Sequence, residues 1–146
     1  MKFLTAFISA ALILLAPEAY SRDTKHELSI QDAMQSATFK ERLDPNIRFY
    51  FGNQKHPKVV RSFGNYSTNK KTNAFNKSDE EACQWVLLSA LLTLQDRAKQ
   101  EGANAVINIA SYYKKNTFSS ASLYECHAGA ILSGVALKGD VVKLAK

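Results

Sequence analysis

Two cysteines and three histidines are the side chains most able to bind a metal or form a redox bond in this chain. Cys83 and Cys126 are an even pair, which favours a disulfide in an exported chain, while two free thiols or a metal pair stay open as alternatives. The histidines His26, His56 and His127 are scattered. His127 follows Cys126, and neighbouring side chains on a strand face opposite ways. We therefore predict no metal site, with His127 and His56 as the residues that would contribute to one.

Motifs for catalysis are absent from the sequence. It has no Gly-x-x-x-x-Gly-Lys-Ser/Thr phosphate loop, no Cys-x-x-Cys pair and no Gly-x-Ser-x-Gly elbow. The acidic run at Asp79, Glu80 and Glu81 is better explained by the start of a helix, where negative charge is favourable. We expect a protein that is not an enzyme and binds neither a cofactor nor a nucleotide.

A basic segment lies at positions 67–77, where Lys70, Lys71 and Lys77 flank the aromatic Phe75. It is expected to be a solvated loop or a wet strand end. The net charge of +6 suits weak attraction to anionic surfaces, including those of a cell envelope. Nucleic-acid binding through the three lysines is an alternative that we give less weight.

The element expected to organise these residues is a helix over 78–102. Ser78 and Glu81 form a capping box at its start, and Gly102 stands where helices usually stop. Apolar residues recur at three- and four-residue spacing, which indicates one buried face. They are Cys83, Val86, Leu87, Ala90, Leu91, Leu94 and Ala98, with Trp85, Leu88 and Leu92 widening the stripe.

The other elements follow from local patterns. Residues 22–26 are expected to fray, and Ser29 is expected to cap a short helix that ends before Asp44-Pro45. Strands are predicted at 47–51 and 59–66 as a hairpin, at 104–113, at 123–137 with bends at Gly129 and Gly134, and after a turn at 138–140. The fold class is therefore α+β, with an antiparallel sheet of about four strands packed on the central helix.

The placement of the cysteines favours a bridge between helix and sheet. Cys83 lies on the apolar stripe near the helix start. Cys126 shares a strand face with Ala128, Ala130 and Leu132, and small residues there let a helix sit close. Closing this loop would stabilise the fold by roughly 4 kcal/mol in the chain-entropy model.

Residues 1–21 are typical of a secretory signal peptide. Lys2 supplies the positive start, 3–16 form the apolar segment, and Ala19-Tyr20-Ser21 offer small residues for cleavage. About 125 residues then remain for a single domain at 22–146, with no further membrane span. We predict a periplasmic or secreted location.

The run from CQWVLLSALLTLQDRAKQEGANAVINIASYYKKN to YECHAGAILSGVALKGDVVKL, with FYFGNQKHPKVV and TNKKTNAF upstream, resembles a family of small secreted proteobacterial proteins. Its members often carry the label "excinuclease ATPase subunit", although this sequence has neither a nucleotide loop nor zinc cysteines. The step Gly102-Ala103-Asn104-Ala105-Val106 is loosely similar to YbjQ-like domains and to the Rcs envelope-stress sensor lipoprotein. This second resemblance implies a compact α+β domain with one main helix on an antiparallel sheet.

Taken with the export signal, these features predict a non-enzymatic exported protein that acts by binding, with an envelope protein or an anionic surface as partner. A metal- or small-ligand-binding module is the alternative, and nucleic-acid binding through the basic segment is a further one.

Overall fold

The computed structural model describes residues 22–146, so the predicted signal peptide lies outside the described residues. Its helices are α1 (Ile30–Gln35), α2 (Ala37–Arg42) and α3 (Asp79–Glu101). Its strands are β1 (Thr24–Ser29), β2 (Arg48–Phe51), β3 (Val59–Asn73), β4 (Ala105–Ser111), β5 (Leu123–Ala128) and β6 (Leu132–Leu144). A short 3-10 turn, Tyr113–Lys115, follows β4.

The strands form one mixed six-stranded sheet with β6 at its centre. β6 pairs with β3, β4 and β5. On the far side of β4 lies β2, and on the far side of β5 lies β1. The β2–β4 pair is parallel and the other pairs are antiparallel. The α+β class is confirmed, while the predicted antiparallel sheet of about four strands is matched only roughly, because the sheet has six strands and β2 runs parallel to β4.

The expected hairpin between 47–51 and 59–66 does not form. β3 extends over 15 residues and pairs with the 13-residue β6 along nearly its whole length. The short β2 would leave most of β3 unpaired, and β2 instead lies beside β4. Which strands pair therefore depends on strand lengths and on residues far apart in the sequence. Local sequence patterns do not contain this information.

Helix α3 has the predicted ends. The Ser78 hydroxyl accepts a hydrogen bond from the Glu81 N–H at 3.1 Å, and Gly102 closes the helix with a left-handed φ of 73°. The predicted stripe is buried against the sheet, but Trp85 is 41% exposed rather than part of the core. Within residues 22–146, no helix combines the length and hydropathy needed to cross a bilayer.

The N-terminal part is more ordered than expected. Residues 22–26 were expected to fray, but 24–26 belong to β1, which begins at Thr24 and pairs with β5. The single short helix is two helices, divided at Ser36. The Ser36 hydroxyl donates to the Ala33 carbonyl and accepts from the Phe39 N–H, so this residue ends α1 and begins α2.

The C-terminal strands also differ from the prediction. The chain turns after Ala128, so 123–137 is not one strand, and β6 continues through the expected turn at 138–140. In β4 the alternation breaks at Asn108, which has a φ of 51°, where the β4–β6 register shifts. Val106 and Ile109 therefore both pack in the core beneath α3.

The disulfide prediction is confirmed. Cys83 and Cys126 are bonded, with an S–S distance of 2.03 Å, and neither residue is exposed to solvent. The bond joins the first turns of α3 to β5 through the middle of the core.

Candidate functional site

A charged cluster surrounds His127 on β5. Its Nδ1 lies 3.1 Å from the Asp23 carboxylate, and its Nε2 lies 2.5 Å from the Glu125 carboxylate. The imidazole stacks on the Tyr113 ring with 3.4 Å between the ring centres. Strand pairing and the turn after β4 thus bring together three acidic or aromatic side chains around one histidine.

This arrangement places a carboxylate at each ring nitrogen of His127, Asp23 at Nδ1 and Glu125 at Nε2. Burial and the neighbouring Asp23 carboxylate raise the pKa of Tyr113 above its usual value, which keeps this phenol protonated.

A cavity of about 230 Å³ lies beside the cluster. Lys71, Gly134 and Leu132 border it on the strands, and Asp23 and Tyr113 border it on the other side.

A second charged cluster lies at the start of α3. Asp79 accepts two hydrogen bonds from Arg22, each 2.8 Å, and lies 2.8 Å from the His26 ring. These contacts hold the pKa of Asp79 well below its usual range, with the Arg22 hydrogen bond as the main cause and His26 next. The cluster ties residue 22 to the helix and confirms the structural interpretation of the acidic run.

The predicted metal candidates are not brought together by shared contacts. His56 lies in the connection between β2 and β3, with Nδ1 2.7 Å from the Pro57 carbonyl and its ring edge-on to Tyr50. His127 lies on β5, where its ring contacts Asp23 and Glu125 instead. Within the described part of the chain, no group of three His, Cys, Asp or Glu side chains is arranged to hold a metal ion.

The basic residues do not form a loop. Lys70 and Lys71 belong to β3, where adjacent side chains point to opposite faces of the sheet. Lys77 lies in the turn before α3 and donates to the Asn73 carbonyl at 3.0 Å. Of the two expectations for this segment, the strand end is the one observed, and the three lysines do not share one surface of the sheet.

A groove that sequence reasoning missed lies between the two short helices and β2. Its volume is about 410 Å³. Its apolar lining residues are Met34, Phe39, Leu43, Pro45, Ile47, Phe49 and Tyr50, of which Phe49 and Tyr50 lie on opposite sides of the edge strand β2. These residues come from three segments, and each taken alone has the pattern of an ordinary core position.

A neighbouring cavity of about 430 Å³ lies along α1. It shares Met34 and Phe49 with the groove and adds Ile30, Phe51 and Ala121. The two spaces therefore adjoin at Met34 and Phe49, and polar residues, among them Gln31, Gln35 and Gln54, also line the neighbouring cavity.

Among the charged side chains that line the groove, the acidic one is paired within the described residues and the two basic ones are not. Asp44 forms an ion pair with Lys99 at 3.0 Å, and the Asn46 N–H and Lys99 lower the pKa of the Asp44 carboxyl. Lys40 and Arg48 also line the groove, are exposed, and form no ion pair with any residue of 22–146. The groove is therefore apolar along its wall and cationic at its rim.

The backbone edge of β2 is partly closed. The Phe51 N–H donates to the Gln54 side chain at 2.9 Å, and the Gln54 N–H donates to the Phe51 carbonyl at 3.0 Å. Little backbone is left here to extend the sheet by pairing with another strand.

Comparison with protein-family profiles, with curated proteins and with solved structures finds no match to this chain. The function is therefore inferred from the two charged clusters, the disulfide and the groove.

Proposed function

We propose that the protein is an exported, non-enzymatic binding protein of the periplasm or the extracellular space. It binds a small ligand in the groove between α1, α2 and β2. A cell envelope is the setting in which its net positive charge would favour contact with anionic surfaces.

The observation that carries the export proposal is the Cys83–Cys126 disulfide. Both cysteines are fully buried, so the bond belongs to the core rather than to a surface redox site. Disulfides of this structural kind persist in oxidising compartments and are rare in reducing ones. The signal-like pattern of residues 1–21 points the same way.

The binding role is supported by the groove. Its volume falls in the range of small-molecule sites, and its lining combines an apolar wall with a few charged groups, as such sites usually do.

Cell fractionation tests the export proposal. The full chain, expressed in a bacterium with an oxidising periplasm, should appear in the periplasm or medium as a shorter form with both thiols resistant to alkylation. A matched chain lacking residues 1–21 should stay in the cytoplasm. Recovery of the full-length, uncleaved chain in the cytoplasm with alkylated Cys83 and Cys126 would refute the proposal.

Two binding alternatives have tests of their own. Calorimetric titration of the oxidised protein with zinc and copper should be flat, and His56→Ala and His127→Ala variants should change nothing in that result. Oligonucleotide affinity should be weak and unaffected by replacing Lys70, Lys71 and Lys77 with Ala.

The non-enzymatic role has a separate test. Turnover of any substrate in a broad hydrolase screen would contradict it.

A further inference from the structure

We propose that the groove binds the single acyl chain of a fatty acid, with the carboxylate at Lys40 and Arg48. This assignment names a ligand class for the proposed binding function and rests on it. The acyl chain lies along the apolar wall and extends past Met34 towards the neighbouring cavity.

The wall selects an unbranched apolar chain. Phe39 and Ile47 are buried at its base, while Met34, Leu43 and Phe49 are half-buried and face open space. Covering these half-exposed side chains removes apolar surface from water on both partners. Methionine adapts its shape to irregular ligands, and here it stands where the two cavities join.

The rim selects an anionic head group. Lys40 and Arg48 are the cations of the groove lining, and the acidic residue of the lining, Asp44, is already paired with Lys99. A carboxylate bound beside either side chain gains a charge-assisted hydrogen bond, whereas a cationic head group would meet positive charge.

A peptide fits the groove less well than an acyl chain. An added strand needs a row of free backbone groups, and Gln54 already occupies the N–H and carbonyl of Phe51 on the four-residue β2. An acyl chain needs no backbone partner, so the closed edge is no obstacle to it.

The test uses three probes with the same chain length below their micelle concentrations, namely dodecanoate, dodecyltrimethylammonium and dodecanol. Isothermal titration calorimetry of the oxidised 22–146 chain should show binding of dodecanoate at least about tenfold tighter than that of the cation. Extending the acid by two methylenes should tighten binding by about fifteenfold if both are buried in the groove. Amide NMR shifts should cluster at residues 30–51.

Variants locate the two ends of the ligand. Lys40→Gln with Arg48→Gln should weaken dodecanoate binding about fivefold and leave dodecanol binding unchanged. The single variant Lys40→Gln has Arg42→Gln as its matched control, because Arg42→Gln removes one positive charge from the same helix outside the groove lining. Met34→Glu should abolish binding of dodecanoate while circular dichroism shows an unchanged fold.

The outcomes separate the two proposals. Equal affinity for anion and cation, unchanged dodecanoate affinity in Lys40→Gln/Arg48→Gln, NMR shifts outside the groove, or binding only to anionic phospholipid vesicles would each overturn the fatty-acid assignment. The export proposal would stand in all of these cases, since fractionation tests it. A cytoplasmic, reduced protein that still binds dodecanoate with charge selectivity would refute export and retain the fatty-acid site.

Discussion

Individual side chains connect the N-terminal strand to α3. Arg22 and His26 both contact Asp79, a residue of the first helical turn, and Arg22 also donates to the Gly129 carbonyl at 3.0 Å. Because Asp79 is on the helix N-terminus, its charge interacts favourably with the helix dipole as well as with these partners. One carboxylate thus stabilises a helix end and a strand end together.

Replacing Asp79 with Asn should lower the free energy of unfolding by about 1–2 kcal/mol at pH 7. The folded-state pKa of Asp79 is depressed, so its contribution is present above the unfolded-state value near 4 and is lost as the pH falls through the folded value. The stability difference between the two proteins should therefore shrink in acid. Urea unfolding at several pH values measures it.

Glu80→Gln is the control for this effect. Glu80 carries the same charge in the same turn but makes no hydrogen bond to Arg22 or His26. Its variant should lose only a few tenths of a kcal/mol. A loss equal to that of Asp79→Asn would show that the dipole alone accounts for the effect.

Helices and strands were predictable where the signal is local. The caps of α3 and its apolar stripe follow from residue types within a few positions or on one face, whereas the Cys83–Cys126 pairing was favoured because the chain has two cysteines. The aromatic run of β2 likewise marks its own strand. The direction of β2, the pairing of β1 with β5 and the length of β6 depend on partners far along the chain. The groove was missed for the same reason, since it exists only after α1, α2 and β2 assemble.

Gly139 lies on β6, whose length was not predicted from the sequence, and it packs closely against β4. A Cβ atom at this position would lie 2.7 Å from Val106 Cγ1 and 3.2 Å from Ile109 Cγ1. Gly139→Ala should therefore destabilise the protein by about 1–3 kcal/mol through overpacking. Thermal unfolding followed by circular dichroism measures the loss.

Gly134→Ala on the same strand is the matched comparison. A Cβ there would meet nothing closer than the Lys70 carbonyl at 3.5 Å. This variant should unfold within a few degrees of the parent protein. Equal losses in both variants would contradict the close packing of β6 against β4 at Gly139.

The disulfide constrains the relation between helix and sheet. Cys83 and Cys126 are 43 residues apart, so their bond removes a large loop entropy from the unfolded chain. Cys83→Ala/Cys126→Ala should lower the free energy of unfolding by about 4 kcal/mol. Urea titration should show this, and the parent protein under reducing conditions should match the variant. A loss below about 1 kcal/mol would mean that the core holds α3 without the bond.

The whole molecule is organised by pairings between distant parts of the chain. β1, at the start of the described residues, pairs with β5, and the final strand β6 joins β3, β4 and β5. Contacts this far apart in sequence slow folding.

Refolding of the oxidised protein from urea should therefore take milliseconds to seconds rather than microseconds. Removing residues 132–146 should leave no cooperative unfolding transition, because three strands lose their common partner. Stopped-flow circular dichroism and equilibrium urea titration measure these two properties. A cooperative transition in the truncated chain would show that the remaining strands form a core without β6.

Trp85 is the single tryptophan of the chain and lies half-exposed in a cleft with Phe39, Leu88 and Ser36. Phe39 also lines the groove, so this side chain borders both spaces. The protein consequently contains its own optical probe. A ligand that displaces Phe39 should alter the wavelength or intensity of the native emission, and the groove can be titrated by fluorescence without attaching a dye.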